Sequence, residues 1–220
     1  MLLLDLLAEG PRPLRWLSER SGLPRPTAHR LLVALEAHRL VARDAAGAFR
    51  LGPRLAELAF RADPAMDLAT LAVPVLARLH DATAESVQLY VRSGDKRLCI
   101  AARDSGTGLR DSVPVGALLP LAAGSGGKVL LAWSADAGQF DAVPADELAA
   151  IRERGWSASV AEREPGVASV SAPVLRPDGT IAAALCVSGP VSRLGQAPGR
   201  RLSALVIAAA AELAHGLSAR

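Results

Sequence analysis

Residues 124–129, Gly-Ser-Gly-Gly-Lys-Val, gather a hydroxyl, an amine and three glycines into one short stretch, a composition that can cradle an anion. Two catalytic readings of it fail on spacing. In a phosphate-binding loop the first Gly would fall at Ala122, and Val129 stands where a Ser or Thr must reach magnesium. A hydrolase elbow around Ser125 needs a Gly where Ala123 stands. The histidines supply no base by position: His29 and His38 fall in the N-terminal part, while His80 and His215 fall on expected helices. No cofactor motif and no metal-ligand spacing accompany them, so no catalytic or metal-binding residue is assigned. What remains is binding without turnover. A small-residue loop opening a helix presents amides and the positive end of the helix dipole, which hold a carboxylate. Ser169 and Ser188, on expected strands, can add hydroxyl donors, although each is equally at home on a solvated strand face. A small organic acid fits this chemistry.

A second constellation lies at residues 23–35, LPRPTAHRLLVAL. Ala28, Leu31, Leu32 and Leu35 fall at i, i+3, i+4 and i+7, the packing stripe of a helix, and Thr27 and Arg30 point away from it. Pro24 and Pro26 suit a helix start, where a missing amide has no intrahelical partner to lose. Upstream, residues 14–21 form a short helix with Leu14 and Leu17 on one face, and Gly22 supplies the turn. Downstream, extended runs at 40–43 and 48–51 flank Asp44-Ala45-Ala46-Gly47, a hairpin turn. The order is that of a helix-turn-helix followed by a wing, with a recognition helix that reads DNA. Charge supports it. Residues 1–61 hold ten Arg, no Lys and six acids, a net of +4, whereas the remainder nets −1.

These elements must be positioned by a chain of 220 residues, half of them apolar and only 3% aromatic. That suffices for two modest domains with aliphatic cores. Cys99 and Cys186 are far apart and match neither a disulfide framework nor a metal site, as expected of buried thiols in a reducing cytoplasm. The apolar start, MLLLDLL, lacks a basic region and a cleavage pattern, and the apolar run at 205–211 is too short to span a bilayer. A cytoplasmic protein with no membrane partner is expected. Residues 53–61 form a helix with Leu55, Leu58 and Ala59 on one side, which Ala62-Asp63-Pro64 interrupts; that stripe either packs on the second domain or joins two copies. The expected division is a DNA-binding domain at 1–52, a linker helix at 53–64 and a second domain at 65–220. In the latter, helices are expected at 65–81, 126–133, 144–154 and 196–216, and strands at 86–92, 97–102, 156–161, 167–175 and 180–188. This mixture gives an α+β fold with a largely antiparallel sheet.

The chain resembles the IclR family of bacterial transcriptional regulators over nearly its whole length. The residues that carry the resemblance are Gly22-Leu23-Pro24 with 27–32 (TAHRLL), Phe49-Arg50-Leu51-Gly52, residues 123–131, Arg154-Gly155-Trp156-Ser157, Glu162 with Pro165-Gly166-Val167, Ala172-Pro173-Val174 and residues 187–193 (VSGPVSR). The resemblance implies an N-terminal winged helix-turn-helix and a C-terminal GAF-like effector domain. It implies a homodimer or dimer of dimers on palindromic double-stranded DNA, with a small organic or aromatic acid as effector. Position by position, it implies DNA contacts from Arg25, Thr27, His29 and Arg30, with Arg43 and Arg50 near the wing. It implies an effector pocket lined by Ser125, Gly126, Ser159, Ser169, Cys186 and Ser188.

Three departures stand out. The first helix begins at Met1, which implies a short helix or a start further upstream. His38-Arg39 replaces the Gly that usually follows the recognition helix. Ser159 and Ser169 occupy positions that other members fill with varied residues, so the effector does not transfer. The alternative to a regulator is a small-molecule-binding or enzymatic module whose N-terminal domain is vestigial or binds protein. Salt-dependent DNA affinity separates the two.

Overall fold

The computed structural model describes residues 1–62, 65–106, 111–135 and 143–218. The chain divides into two compact units, Met1–Pro64 and Ala65–Arg220.

The first unit is a helix-turn-helix with a wing. It comprises helices α1 (Leu2–Leu7), α2 (Leu14–Ser21) and α3 (Arg25–Ala37), the antiparallel hairpin β1 (Val41–Arg43) and β2 (Phe49–Leu51), and helix α4 (Pro53–Ala62). Gly22 takes the left-handed conformation between α2 and α3, φ 69°, the turn that its position predicts. Asp44 Oδ1 accepts the Ala46 and Ala48 amides, which closes the hairpin turn. Leu3, Leu7, Leu17, Leu32, Val41 and Phe49 form the core. The expected stripe on α3 is narrower than its spacing suggests: Ala28 and Leu32 are buried, but Leu31 is 46% exposed because this small unit covers only part of the helix. Arg39 follows α3 with φ 59°. The Leu40 amide donates to Leu35 O and the Arg39 amide to Glu36 O, both at 2.9 Å, a helix ending that ordinarily takes Gly. The conformation is kept and the residue type is not. Along α4, Leu58 is exposed, and Leu55 and Ala59 are half-buried. Of the interruption expected at Ala62-Asp63-Pro64, the last two residues lie outside the described ones.

The second unit holds six antiparallel strands in the order β5-β4-β3-β8-β7-β6. They are β3 (Ser86–Ser93), β4 (Lys96–Arg103), β5 (Leu118–Pro120), β6 (Ser157–Val160), β7 (Val167–Leu175) and β8 (Ile181–Pro190). Helices α5 (Ala65–Thr83) and α9 (Gly199–Ser218) pack on one face, where Val87, Leu89, Val170, Ala172, Leu185 and Val187 point. Helices α6 (Ser125–Ala132) and α7 (Ala145–Arg154) belong to the opposite side, with Tyr90, Cys99, Ala184 and Cys186. A one-turn helix, α8 (Val191–Leu194), follows β8. Neither β5 nor α8 is expected from the sequence. The last helix begins at Gly199 rather than at Gln196, since the Leu202 amide reaches back to Pro198 O to close its first turn. Strand β8 runs on to Pro190, paired with Val167, instead of stopping at Ser188.

The α6 side of the sheet is polar where β6, β7 and β8 meet. Ser159, Ser169 and Ser188 are register partners in a row across the three strands, and Ser157, Ser171 and Cys186 form the next row. Strand alternation sends both rows to one face and the aliphatic residues between them to the other.

Candidate functional site

The N-terminus of α6 ends over these rows. The Ser125 hydroxyl bonds Ser169 Oγ at 2.7 Å and Ser171 Oγ at 2.8 Å, with Cys186 Sγ at 3.9 Å, and Ser159 Oγ lies 2.9 Å from Ser169 Oγ. A small cavity of about 20 Å3, partly open to solvent, lies beside this cluster. Gly126, Ser159, Ser169, Cys186 and Ser188 line it together with Tyr90, Arg97, Asp111, Gly124 and Arg163. The six sequence-expected pocket residues therefore gather at one place, with Ser125 in the hydroxyl cluster rather than on the wall. Ser188 is turned partly aside, since its hydroxyl donates to Gln88 Oε1 at 3.1 Å.

The expectation of open amides at the helix start needs correction. The Gly124 amide donates to Glu162 Oε2 and the Ser125 amide to Ser159 Oγ, both at 3.2 Å. Lys128, whose motif suggests phosphate, holds this arrangement: its ammonium donates to Glu162 Oε1 and Glu147 Oε1, each at 2.8 Å. The Gly126 and Gly127 amides have no hydrogen-bond partner among the described residues.

Sequence reasoning missed the charged wall. Arg97, 3% exposed, donates from Nη1 to Pro120 O and Ala123 O at 2.5 Å each, and its guanidinium lies 5.1 Å from the Tyr90 ring centre. Its Nε is buried and without a partner, and no carboxylate pairs with it among the described residues. Arg163 does have anions, Asp111 and Glu164. Burial pulls the Arg97 pKa down, yet guanidinium stays protonated in proteins, so the charge remains. Burial also pushes the Tyr90 phenol and the Cys186 thiol up, and keeps both neutral. Apart from Arg163 and its two carboxylates, Asp111 and Glu164, the wall is thus neutral hydroxyl, thiol and phenol groups around Arg97, which no carboxylate bonds among the described residues.

In the first unit, Arg25, Thr27, His29, Arg30 and Arg50 are exposed. They do not share one face: Thr27 and Arg30 are three apart on the outer side of α3, while Arg25 and His29 form a row four apart on its flank. Arg43 is already engaged, with Glu36 at 3.2 Å and the Phe49 ring centre at 4.5 Å. Arg12 and Arg20 were not singled out by sequence; they lie 4.6 and 6.0 Å from the Trp16 ring centre. Among the described residues, no helix is long and apolar enough to cross a membrane.

Comparison with known proteins places both units. The IclR helix-turn-helix domain matches residues 1–45, and the bacterial transcriptional regulator IclR C-terminal domain matches residues 62–145 and 139–215. The HTH-type transcriptional regulator BhcR of Paracoccus denitrificans is 31% identical, covering 99% of this chain and 85% of its own length. The DNA-binding transcriptional repressor YiaJ of Escherichia coli is 30% identical, covering 89% of this chain and 78% of its own length. The crystal structure of Pseudomonas aeruginosa HmgR, 29% identical, covers 98% of this chain and 96% of its own, with a TM-score of 0.79. The chain belongs to the IclR family of bacterial transcriptional regulators.

Proposed function

We propose that this protein is a ligand-responsive regulator that binds a palindromic double-stranded operator as a homodimer or dimer of dimers, and whose second unit takes a small organic acid. The acid reading rests above all on the hydroxyl-lined cavity at the start of α6, where Arg97 has no carboxylate bonded to it and the Gly126 and Gly127 amides have no hydrogen-bond partner among the described residues. Positive charge withdrawn from water calls for a negative partner. Ser125, Gly126, Ser159, Ser169, Cys186 and Ser188 supply polar and small surfaces around that partner. In the first unit, exposed Thr27 and Arg30 on α3 are assigned to base edges, and Arg25, His29, Arg43 and Arg50 to the adjoining backbone. The exposed Leu58 on α4 suits a contact between copies.

The test is fluorescence anisotropy of the purified protein on its own upstream intergenic DNA across a salt series. The expected result is sequence-selective binding whose log affinity falls with log salt at roughly −0.9 per phosphate contacted. Arg30→Ala should weaken it by about tenfold or more, in line with roughly 1–3 kcal/mol per good base contact. A folded oligomer that ignores DNA at low salt would overturn the regulator reading in favour of a binding or enzymatic module.

A further inference from the structure

Two arginines, Arg97 buried and Arg193 exposed, have side-on edges that can be compared. Arg193 donates from Nε and Nη2 to the two carboxylate oxygens of buried Glu85, both at 2.7 Å, a bidentate pair. Arg97 leaves the corresponding edge without a hydrogen-bond partner among the described residues. Both of its carbonyl bonds come from Nη1; Nε is buried without a partner, and Nη2 makes no hydrogen bond to a described residue. Nη2 also lies 3.2 Å from where a Cβ on Gly124 would stand, so a larger residue there would crowd it. The side chain is 97% withdrawn from solvent, being 3% exposed, and lines the cavity.

We infer that Arg97 is the specificity-determining residue of the effector site, and that its Nε–Nη2 edge donates to the carboxylate of a compact monocarboxylic acid as the same edge of Arg193 donates to that of Glu85. This rests on the acid-sensing reading above and sharpens it. The ligand carries one anionic group, because the other cation on the wall is taken: Arg163 bonds Asp111, itself 6% exposed, and also Glu164. A second carboxylate would meet Asp111 and find no free cation. The ligand is small, because the cavity as it stands offers only about 20 Å3, far below the roughly 300–1,000 Å3 typical of ligand sites, and its wall must ease outward to admit even a compact acid. Its body meets the Cys186 thiol and the Ser169 and Ser188 hydroxyls, which stay neutral.

The experiment is calorimetric titration of the full-length protein with benzoate and pyruvate, with their amides benzamide and pyruvamide, and with the dianions terephthalate and malonate. At least one monocarboxylate should bind wild type ~30-fold or more tighter than its own amide and its dianionic counterpart, the ratio expected when a buried charge loses its partner. In Arg97→Gln that preference should fall to within about threefold, and Arg97→Lys, which keeps the charge without the edge, should lie between. Arg97 also holds the Pro120 and Ala123 carbonyls, so thermal unfolding of each variant is measured alongside; the acid-to-amide ratio in wild type needs no variant at all. A wild-type ratio near one, a preference for dianions, or a preference that Arg97→Gln retains would overturn the assignment of Arg97 and leave the acid-sensing site standing if acids still bind. Binding of none of the six probes would overturn both.

Discussion

Lys128 carries its ammonium nearly out of water, its side chain 11% exposed, and two carboxylates meet it there, Glu147 and Glu162, which are 35% and 33% exposed. Burial alone would lower its pKa, but the hydrogen bonds it donates to both glutamates more than reverse this, and the group titrates above its ordinary value. A pKa raised in the folded state stabilises fully at any pH below the unfolded value of 10.5, and that contribution is lost as pH rises through the folded value. Lys128→Met should therefore cost roughly 1–3 kcal/mol at neutral pH, the range for hydrogen bonds to charged groups, with the half-open carboxylates regaining water and holding it below a fully buried pair. Denaturant unfolding of both proteins should show that difference constant from neutral to mildly alkaline pH and shrinking beyond about pH 10.5. Equal stability at neutral pH would remove Lys128 as the brace of the α6 entry. The Gly-Lys pair thus makes sense as architecture: the lysine orients Glu162, and Glu162 caps the Gly124 amide.

Helix α6 sits so low on the sheet that its glycines cannot be exchanged alike. A Cβ on Gly127 would stand 1.9 Å from Leu121 O and 2.6 Å from Arg97 Nη1, whereas one on Gly126 would stand 3.1 Å from the Tyr90 ring edge. Alanine gains ~1 kcal/mol of helix propensity at either position. At Gly127 that gain meets a backbone carbonyl that cannot turn away, and overpacking of roughly 1–3 kcal/mol or more should leave Gly127→Ala clearly less stable. Gly126→Ala should stay within about 1 kcal/mol of wild type in stability, yet weaken acid binding by filling the cavity beside Tyr90. Urea midpoints and titration with benzoate or pyruvate separate the two, and an undiminished midpoint for Gly127→Ala would contradict the close approach. The same packing explains what the sequence discloses. Period-two alternation along Val167–Leu175 puts Ser169 and Ser171 on one face, so the serine rows can be read in advance. Arg97 cannot, because β4 is covered on both sides: Cys99 and Ile100 are both buried, and a strand hidden on both faces has no phase to read. Arg163 lies between β6 and β7, where no periodicity applies. Strand β5 is three residues ending in Pro120, a composition that argues against a strand until Arg97 and Leu98 pair with it. On α3 the spacing overreaches, since apolar period identifies residues able to pack but not whether a unit this small has anything to lay over Leu31.

At the scale of the whole molecule, a basic unit built on α3 and a hydroxyl-lined cavity beside α6 share one chain, and the proposed regulation requires that occupancy of one alter the free energy of the other. No contact between the sites is needed for this, only two arrangements of the protein that bind acid unequally. Linkage then makes the effect reciprocal. If saturating the better-binding of benzoate and pyruvate changes operator affinity by a factor within the usual ~5–150-fold, saturating operator must change affinity for that acid by the same factor. Anisotropy with and without acid gives the first number, and calorimetry with and without a short operator duplex gives the second. Arg30→Ala should lower operator affinity while leaving acid affinity of the free protein unchanged, because α3 belongs to the other compact unit. Arg97→Gln should leave operator affinity of the free protein intact and abolish the response to acid. Acid binding with no change in operator affinity would mean that the two units act independently, and the serine-lined cavity would then have to be explained by something other than control of DNA binding.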